Sequence, residues 1–218
     1  MAGGKRFKYA GSLIRVLLNW SGNSPSASIT GMTKANPCQV TASGGHQLSD
    51  GDVVRINGVV GMTEVNGGVY IVKYSSPTVF FLDNTDSTNW TTWASGGKID
   101  EAVFSNFCEL TGYNRAGGSS AEIDAESLCS TAKEFEVGLP DFGTTTLDFN
   151  FAPKTALQLA MIAAYKASTI TATRITLPNS GGDMTQLGFF QSMSEQAAKG
   201  GMWTGNAVMR NTGPRYDF

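Results

Sequence analysis

The residues able to do chemistry in this sequence are few and scattered. Its one histidine, His46, lies in GGHQLSDGD, whereas a nucleophilic triad needs a base set beside Ser or Cys. A loop or core position satisfied by backbone groups accounts for it. Asp50 and Asp52 flank Gly51, a spacing that suits a turn, where Asp bonds its own backbone, better than a calcium site. Glu122, Asp124 and Glu126 recur at every second position, which on a strand aims all three carboxylates to one side. Glycosidase chemistry requires two carboxylates across a cleft, and a solvated acidic face explains these equally well. Cys38, Cys108 and Cys129 lack the paired spacing of a zinc site. They read as small buried thiols of a reducing compartment. With no G-x-S-x-G, phosphate-binding glycine loop, H-E-x-x-H or C-x-x-C, the sequence predicts no catalytic residue, no cofactor and no metal, and so no enzyme. Trp90 and Trp93 offer the other chemistry available, stacking on a sugar ring, which would suit a two-domain β adhesin or carbohydrate-binding protein.

Charge is informative through its placement. The 16 basic and 18 acidic residues nearly cancel, so the whole chain presents no footprint for gripping a phosphate backbone. Between Asp100 and Asp148, however, ten acids face two bases, and the first twenty residues carry Lys5, Arg6, Lys8 and Arg15 without an acid. Two readings stand: a solvated acidic face with a basic tail, or complementary surfaces on successive copies of the chain.

The elements that position these groups are mostly strands. In 218 residues there are 26 glycines, and only 16% of the chain is charged, against about 25% in an average protein; one or two β-rich domains are expected. LIRVLLNW at 13–20 reads as a buried strand followed by the breaker run SGNSPSAS. From Ile29, short Val-rich segments alternate with the turn pairs Asp50-Gly51, Asn57-Gly58 and Asn66-Gly67, the texture of a compact all-β module. Ala94-Ser95-Gly96-Gly97 marks a second boundary. The expected order is therefore host 1–27, inserted module 28–99 and host 100–218, with the flanking host segments paired in one sheet. Phe135, Val137 and Leu139 alternate with polar positions and predict a strand with one buried face, and Leu147, Phe149 and Phe151 continue the period after a turn at 140–143. Pro153 opens a helix to about Ala167, its buried face Leu157, Ala160, Met161, Ala164 and Tyr165. Strands at 174–177, 187–193 and 202–210 follow. The fold class is mainly β, a sandwich or barrel carrying one packed helix plus a small inserted all-β module. The longest apolar stretch, 156–165, is too short to span a bilayer, and neither a membrane anchor nor a secretion signal is expected.

Residues 117–151, GGSSAEIDAESLCSTAKEFEVGLPDFGTTTLDFNF, resemble the signature of the tail tube proteins of long-tailed bacteriophages. The telling pieces are Ala121-Glu122-Ile123-Asp124, Ser130 to Phe135, Gly138-Leu139, Asp141-x-Gly143 and Leu147 to Asn150. Separately, residues 29–97 are similar to a small β-barrel module of phage structural proteins and to an inserted domain of ubiquitin-activating enzymes, through His46-x-Leu48-Ser49-Asp50-Gly51-Asp52 and Gly58-x-x-Gly61-Met62-Thr63-Glu64. The tail tube resemblance implies a tube-type β-sandwich and a structural virion protein, a homo-oligomer of stacked hexameric rings assembled in the bacterial cytoplasm. Its partners would be the tail tip or initiator, tape measure and tail terminator proteins. Genomic DNA would pass down the lumen without specific binding. On that expectation part of the acidic set Glu122, Asp124, Glu126, Glu134, Glu136, Asp141 and Asp148 lines the bore or meets the next ring. The loop 111–126 reaches toward an adjacent ring, Lys5, Arg6 and Lys8 form the inter-ring arm, and the module sits on the outer wall.

Overall fold

The computed structural model describes residues 8–21, 28–126 and 131–218. The fold is mainly β with one α-helix. In chain order the strands are β1 (Leu13–Trp20), β2 (Ile29–Met32), β3 (Cys38–Ala42), β4 (Val53–Val60), β5 (Val69–Lys73), β6 (Val79–Leu82), β7 (Ser95–Asn106), β8 (Leu110–Arg115), β9 (Ser119–Asp124), β10 (Phe135–Asp141) and β11 (Thr144–Asn150). After the helix α1 (Ala156–Ala167) come β12 (Thr171–Thr176), β13 (Asp183–Gln196), β14 (Thr204–Asn211) and β15 (Tyr216–Asp217).

Antiparallel pairing joins all but two strands in the order β2-β3-β6-β5-β4-β7-β1-β12-β13-β14-β11-β8, with β15 added to β13. β1 lies between β7 and β12, pairing Leu13 with Thr176 and Trp20 with Ala102. The segment before the module and the segments after it thus share one sheet, as expected. β7 carries the chain across. Its first half pairs with β4, Ile99 opposite Ile56, and its second half with β1, Phe104 opposite Leu17. The Ile99/Asp100 position chosen from sequence as a boundary lies within this one strand. Asn57-Gly58, expected as a turn between strands, lies inside β4, Asn57 opposite Lys98.

Three apolar clusters organise the packing. One fills the module with Val40, Val54, Ile56, Val72, Phe80 and Leu82. A second fills the host with Val16, Phe107, Leu147, Phe149, Met161, Phe190 and Met209. A third joins them: Val53 and Ile71 from the module meet Ala102 and Ala172, with Leu17, Trp20, Phe104 and Tyr216 packed around. Successive residues of β4 and β5 therefore bury opposite faces, Val54 and Val72 into the module, Val53 and Ile71 onto the host. This is why Val53-Val54 and Ile71-Val72 stand as adjacent apolar pairs, since two buried faces erase alternation.

α1 starts at Ala156 rather than at Pro153. It is tied down by buried Gln158, whose amide accepts from Ala152 N at 2.8 Å and donates to Asn150 O at 2.9 Å. Ser168 closes it in the left-handed conformation, φ +50. Leu157 and Met161 are buried, but Tyr165, assigned to the packed face from its spacing, is exposed.

Candidate functional site

β9 and β10 pair only with each other among the described residues and form a two-stranded arm outside the main sheet. The expectation that Phe135, Val137 and Leu139 face a core is corrected here. All three are exposed, Val137 at 82% and Leu139 at 89%, and Ile123 of β9, opposite Glu136, is exposed too. Period-two patterning records that a strand is amphipathic, not that its own chain supplies the cover. Directly opposed residues share a face, so Val137 lies with Glu122, Phe135 with Asp124, and Glu136 with Ile123. Acidic and apolar side chains thus alternate over both faces. A register shift between Val137 and Pro140 marks a bulge, which bends and twists the ladder.

The arm's neck is tight. A Cβ on Gly118 would stand 2.0 Å from Asp141 O, and one on Gly143, whose φ is +75, would stand 2.3 Å from Ala116 O. The approach of the two chains therefore requires glycine at both positions. Residues 111–126, expected as a single reaching loop, divide instead into β8, this neck and β9.

Of the seven acids in the bore or inter-ring set, five lie about the arm, one at its neck and one on the main sheet. Glu122 and Asp124 are on β9, Glu136 is on β10, and Glu126 and Glu134 adjoin the arm's open end. Asp141 at the neck pairs with Arg210 at 2.8 Å, and Asp148 accepts from Asn206 at 2.7 Å on the main sheet. Of the basic set, Lys8 is exposed and Lys5 and Arg6 lie outside the described residues.

The other sequence candidates have structural settings. His46 is buried edge-on to Phe80 at 5.0 Å, its Nδ1 accepting from Leu48 N at 3.1 Å. Asp50 accepts from Ser75 N at 2.7 Å, and Asp52 accepts from Ser49 N at 2.8 Å while pairing with Arg174 at 3.1 Å. Their carboxylates bind turns and a guanidinium. Trp90 and Trp93 pack against the module core, and Trp93 Nε1 donates to Gly96 O at 3.1 Å. These rings serve as core cover rather than as the paired platforms expected for a sugar. Cys38 is buried, and burial raises its thiol pKa, while Cys108 is exposed, against the expectation of a buried thiol. Cys129 lies outside the described residues.

One feature had no signal in the sequence reading. Met202 and Trp203, in the β13–β14 turn, are exposed at 72% and 56%. Trp203 lies 6.2 Å from Phe151, ring to ring, and Phe151 N donates to Trp203 O at 2.9 Å. Because Asn150 pairs with Thr204 and Thr144 with Arg210, this patch lies at the opposite end of β11 from the arm's neck. With seven residues in β11 the two are about 20 Å apart at about 3.4 Å per residue. Lys154 and Lys199 are exposed in the segments that bear the patch, with Glu195 the acid at that end of β13. A run of short strands and glycine turns does not announce which apolar residues will be left uncovered.

Residues 35–102 match the ubiquitin-activating enzyme E1 FCCH domain. The matched residues fall on the module, for which a similarity to an inserted domain of ubiquitin-activating enzymes was expected. They make up less than a third of the chain, so the match describes the module and not the whole protein. No curated protein matches the chain. The tail tube reading is overturned, because the family found is this E1 domain and not a phage tail tube family. The physical reason lies in what carried that resemblance: short amphipathic strands and the Asp141-Phe142-Gly143 turn in 117–151, features that any β arm and its neck require. The tube, its bore and the acidic lining of that bore are withdrawn with it.

Proposed function

We propose that this chain is a non-enzymatic protein that works by protein–protein contact. The β9–β10 arm is the inserting element, and the Met202–Trp203 end of a second copy receives it. The observation that carries this reading is the arm's exposed apolar set, Ile123, Phe135, Val137 and Leu139, on a ribbon without cover from its own chain among the described residues. Isolated two-stranded ribbons are marginal in water, and four large apolar side chains exposed on one such ribbon favour cover from another molecule. A second copy is favoured by complementarity. The arm interleaves its apolar residues with Glu122, Asp124, Glu134 and Glu136 against one base, Lys133, 5.9 Å from the Phe135 ring, and the far end combines Met202 and Trp203 with Lys154 and Lys199 against Glu195. Charge of this kind contributes orientation and on-rate more than affinity. Giving and receiving surfaces differ, so the contact is heterologous, and each copy can give one arm and receive another.

Sedimentation velocity over a concentration series tests this. The native chain should gain mass above its 23.1 kDa as concentration rises, less so in high salt. Val137→Asp on the arm and Trp203→Ala on the receiving end should each hold it at single-chain mass. A native chain that stays at single-chain mass throughout overturns the self-contact.

A second and compatible reading rests on the family match. It makes the module a docking unit for another protein, and the name of the matched family makes ubiquitin the first one to try. Shift changes confined to module amides on titration with ubiquitin would support it, and an unchanged spectrum would remove it.

A further inference from the structure

The module and host touch through a second set of contacts that the arm does not use. Arg174 of β12 reaches across to the module, donating to Gly51 O at 2.6 Å and pairing with Asp52 at 3.1 Å, while Thr185 donates to the same Gly51 carbonyl at 3.3 Å. The guanidinium lies over two aromatic rings, 4.6 Å from the centroid of Phe104 and 5.6 Å from that of Phe218. Phe218 is held by a reciprocal pair of backbone bonds with Asp183, at 2.8 and 2.9 Å. Its ring fills the space beside Gly51, where a Cβ would stand 2.2 Å from Phe218 Cε1, and Gly51 has φ +84. Next to it Tyr216 packs into the seam cluster, and Lys73 of the module lies 5.8 Å from its ring. A matching contact runs the other way, with Arg55 of the module 4.8 Å from the Trp20 ring of the host and 2.9 Å from Asp100.

We infer that Tyr216–Phe218, with Arg174, forms a clasp that sets the angle of the module on the host. The sheet continuity between the two is one strand wide at β7, and strands twist about their own axes. A ring seated against a glycine that admits no side chain fixes position in a way a strand alone does not. The clasp is a conformational device: opening it frees the module's orientation while each unit keeps its own core.

Residual dipolar couplings on the full chain test this, through Phe218→Ala on the host side and Gly51→Ala on the module side. In the native chain, couplings from both units fit one alignment tensor. In each variant the expected result is two tensors, the module's reduced in magnitude, with the shifts of Val54 and Ile56 in the module and of Phe149 and Met161 in the host retained. Retained core shifts separate release from unfolding, and Phe218→Tyr, which keeps the ring, should restore a single tensor. One unchanged tensor in both alanine variants overturns the clasp and assigns the orientation to β7 and the seam cluster. Loss of either core's shifts in both variants also overturns it, because the contact would then be part of folding rather than a latch.

Discussion

At the scale of single residues, the side chains that looked reactive serve structural ends, and the most informative titrating group is one the sequence did not single out. Glu101 pairs with Val54 across β4 and β7 at the seam. Burial raises its carboxyl pKa, Asp52 raises it further, and Arg174 partly offsets both. A carboxyl whose folded-state pKa is raised binds its proton more tightly when folded. Its ionisation therefore opposes folding, and the penalty grows as pH rises from the unfolded value, about 4.3 for Glu, through the folded one. Glu101→Gln should leave Tm nearly unchanged at pH 3.5 and raise it at pH 7, where native Glu101 is charged. Thermal melts of both proteins at the two pH values check this. Equal Tm differences at both would show that the seam does not penalise the charge.

Among elements, the arm depends on its neck more than on its strands. Gly143 has a positive φ, and a Cβ there would stand 2.3 Å from Ala116 O, so Gly143→Ala carries both backbone strain and a clash with main chain. The expected cost is on the order of 1–3 kcal/mol, concentrated in the arm. Hydrogen exchange should rise across 119–124 and 135–141 while β14 and α1 keep their protection. If the loss spreads evenly through the host sheet, the arm is part of the cooperative core and not an appended ribbon. Most elements themselves were legible: the Val-rich runs fall on β3 to β6, the 3.6-residue period on α1, and the 147–151 alternation on β11. Asn57-Gly58 was misread because an Asn-Gly pair suits a tight turn, while here Gly58 takes φ +71 inside a continuous strand facing Gly96 and Gly97.

For the whole molecule, the seam cluster decides whether the two units melt together. Val53, Ile71, Ala102 and Ala172 are all buried there, and β7 passes through both units. We expect one calorimetric transition for the native chain. Ile71→Ser removes a buried side chain from the seam and should cost about 3 kcal/mol. It also weakens the coupling, so the transition should broaden or split. A variant that melts in one sharp transition, merely at lower temperature, would show that β7 and the remaining seam contacts suffice for cooperativity.

What the sequence determined by itself was local: a mainly β chain, one helix, a small module between two host segments, and a histidine and aspartates better suited to core and turn than to catalysis. Those properties follow from period, turn residues and composition, which act over a few neighbouring positions. Tertiary structure alone decided that Phe135, Val137 and Leu139 stand in solvent while Val53 and Ile71 do not, that Trp203 meets Phe151, and that Phe218 seats against Gly51. Each is a question of what lies opposite a face, and that partner comes from far along the chain or from outside it. An amphipathic pattern specifies that a surface must be covered; only the packed molecule shows which surfaces its own residues have covered.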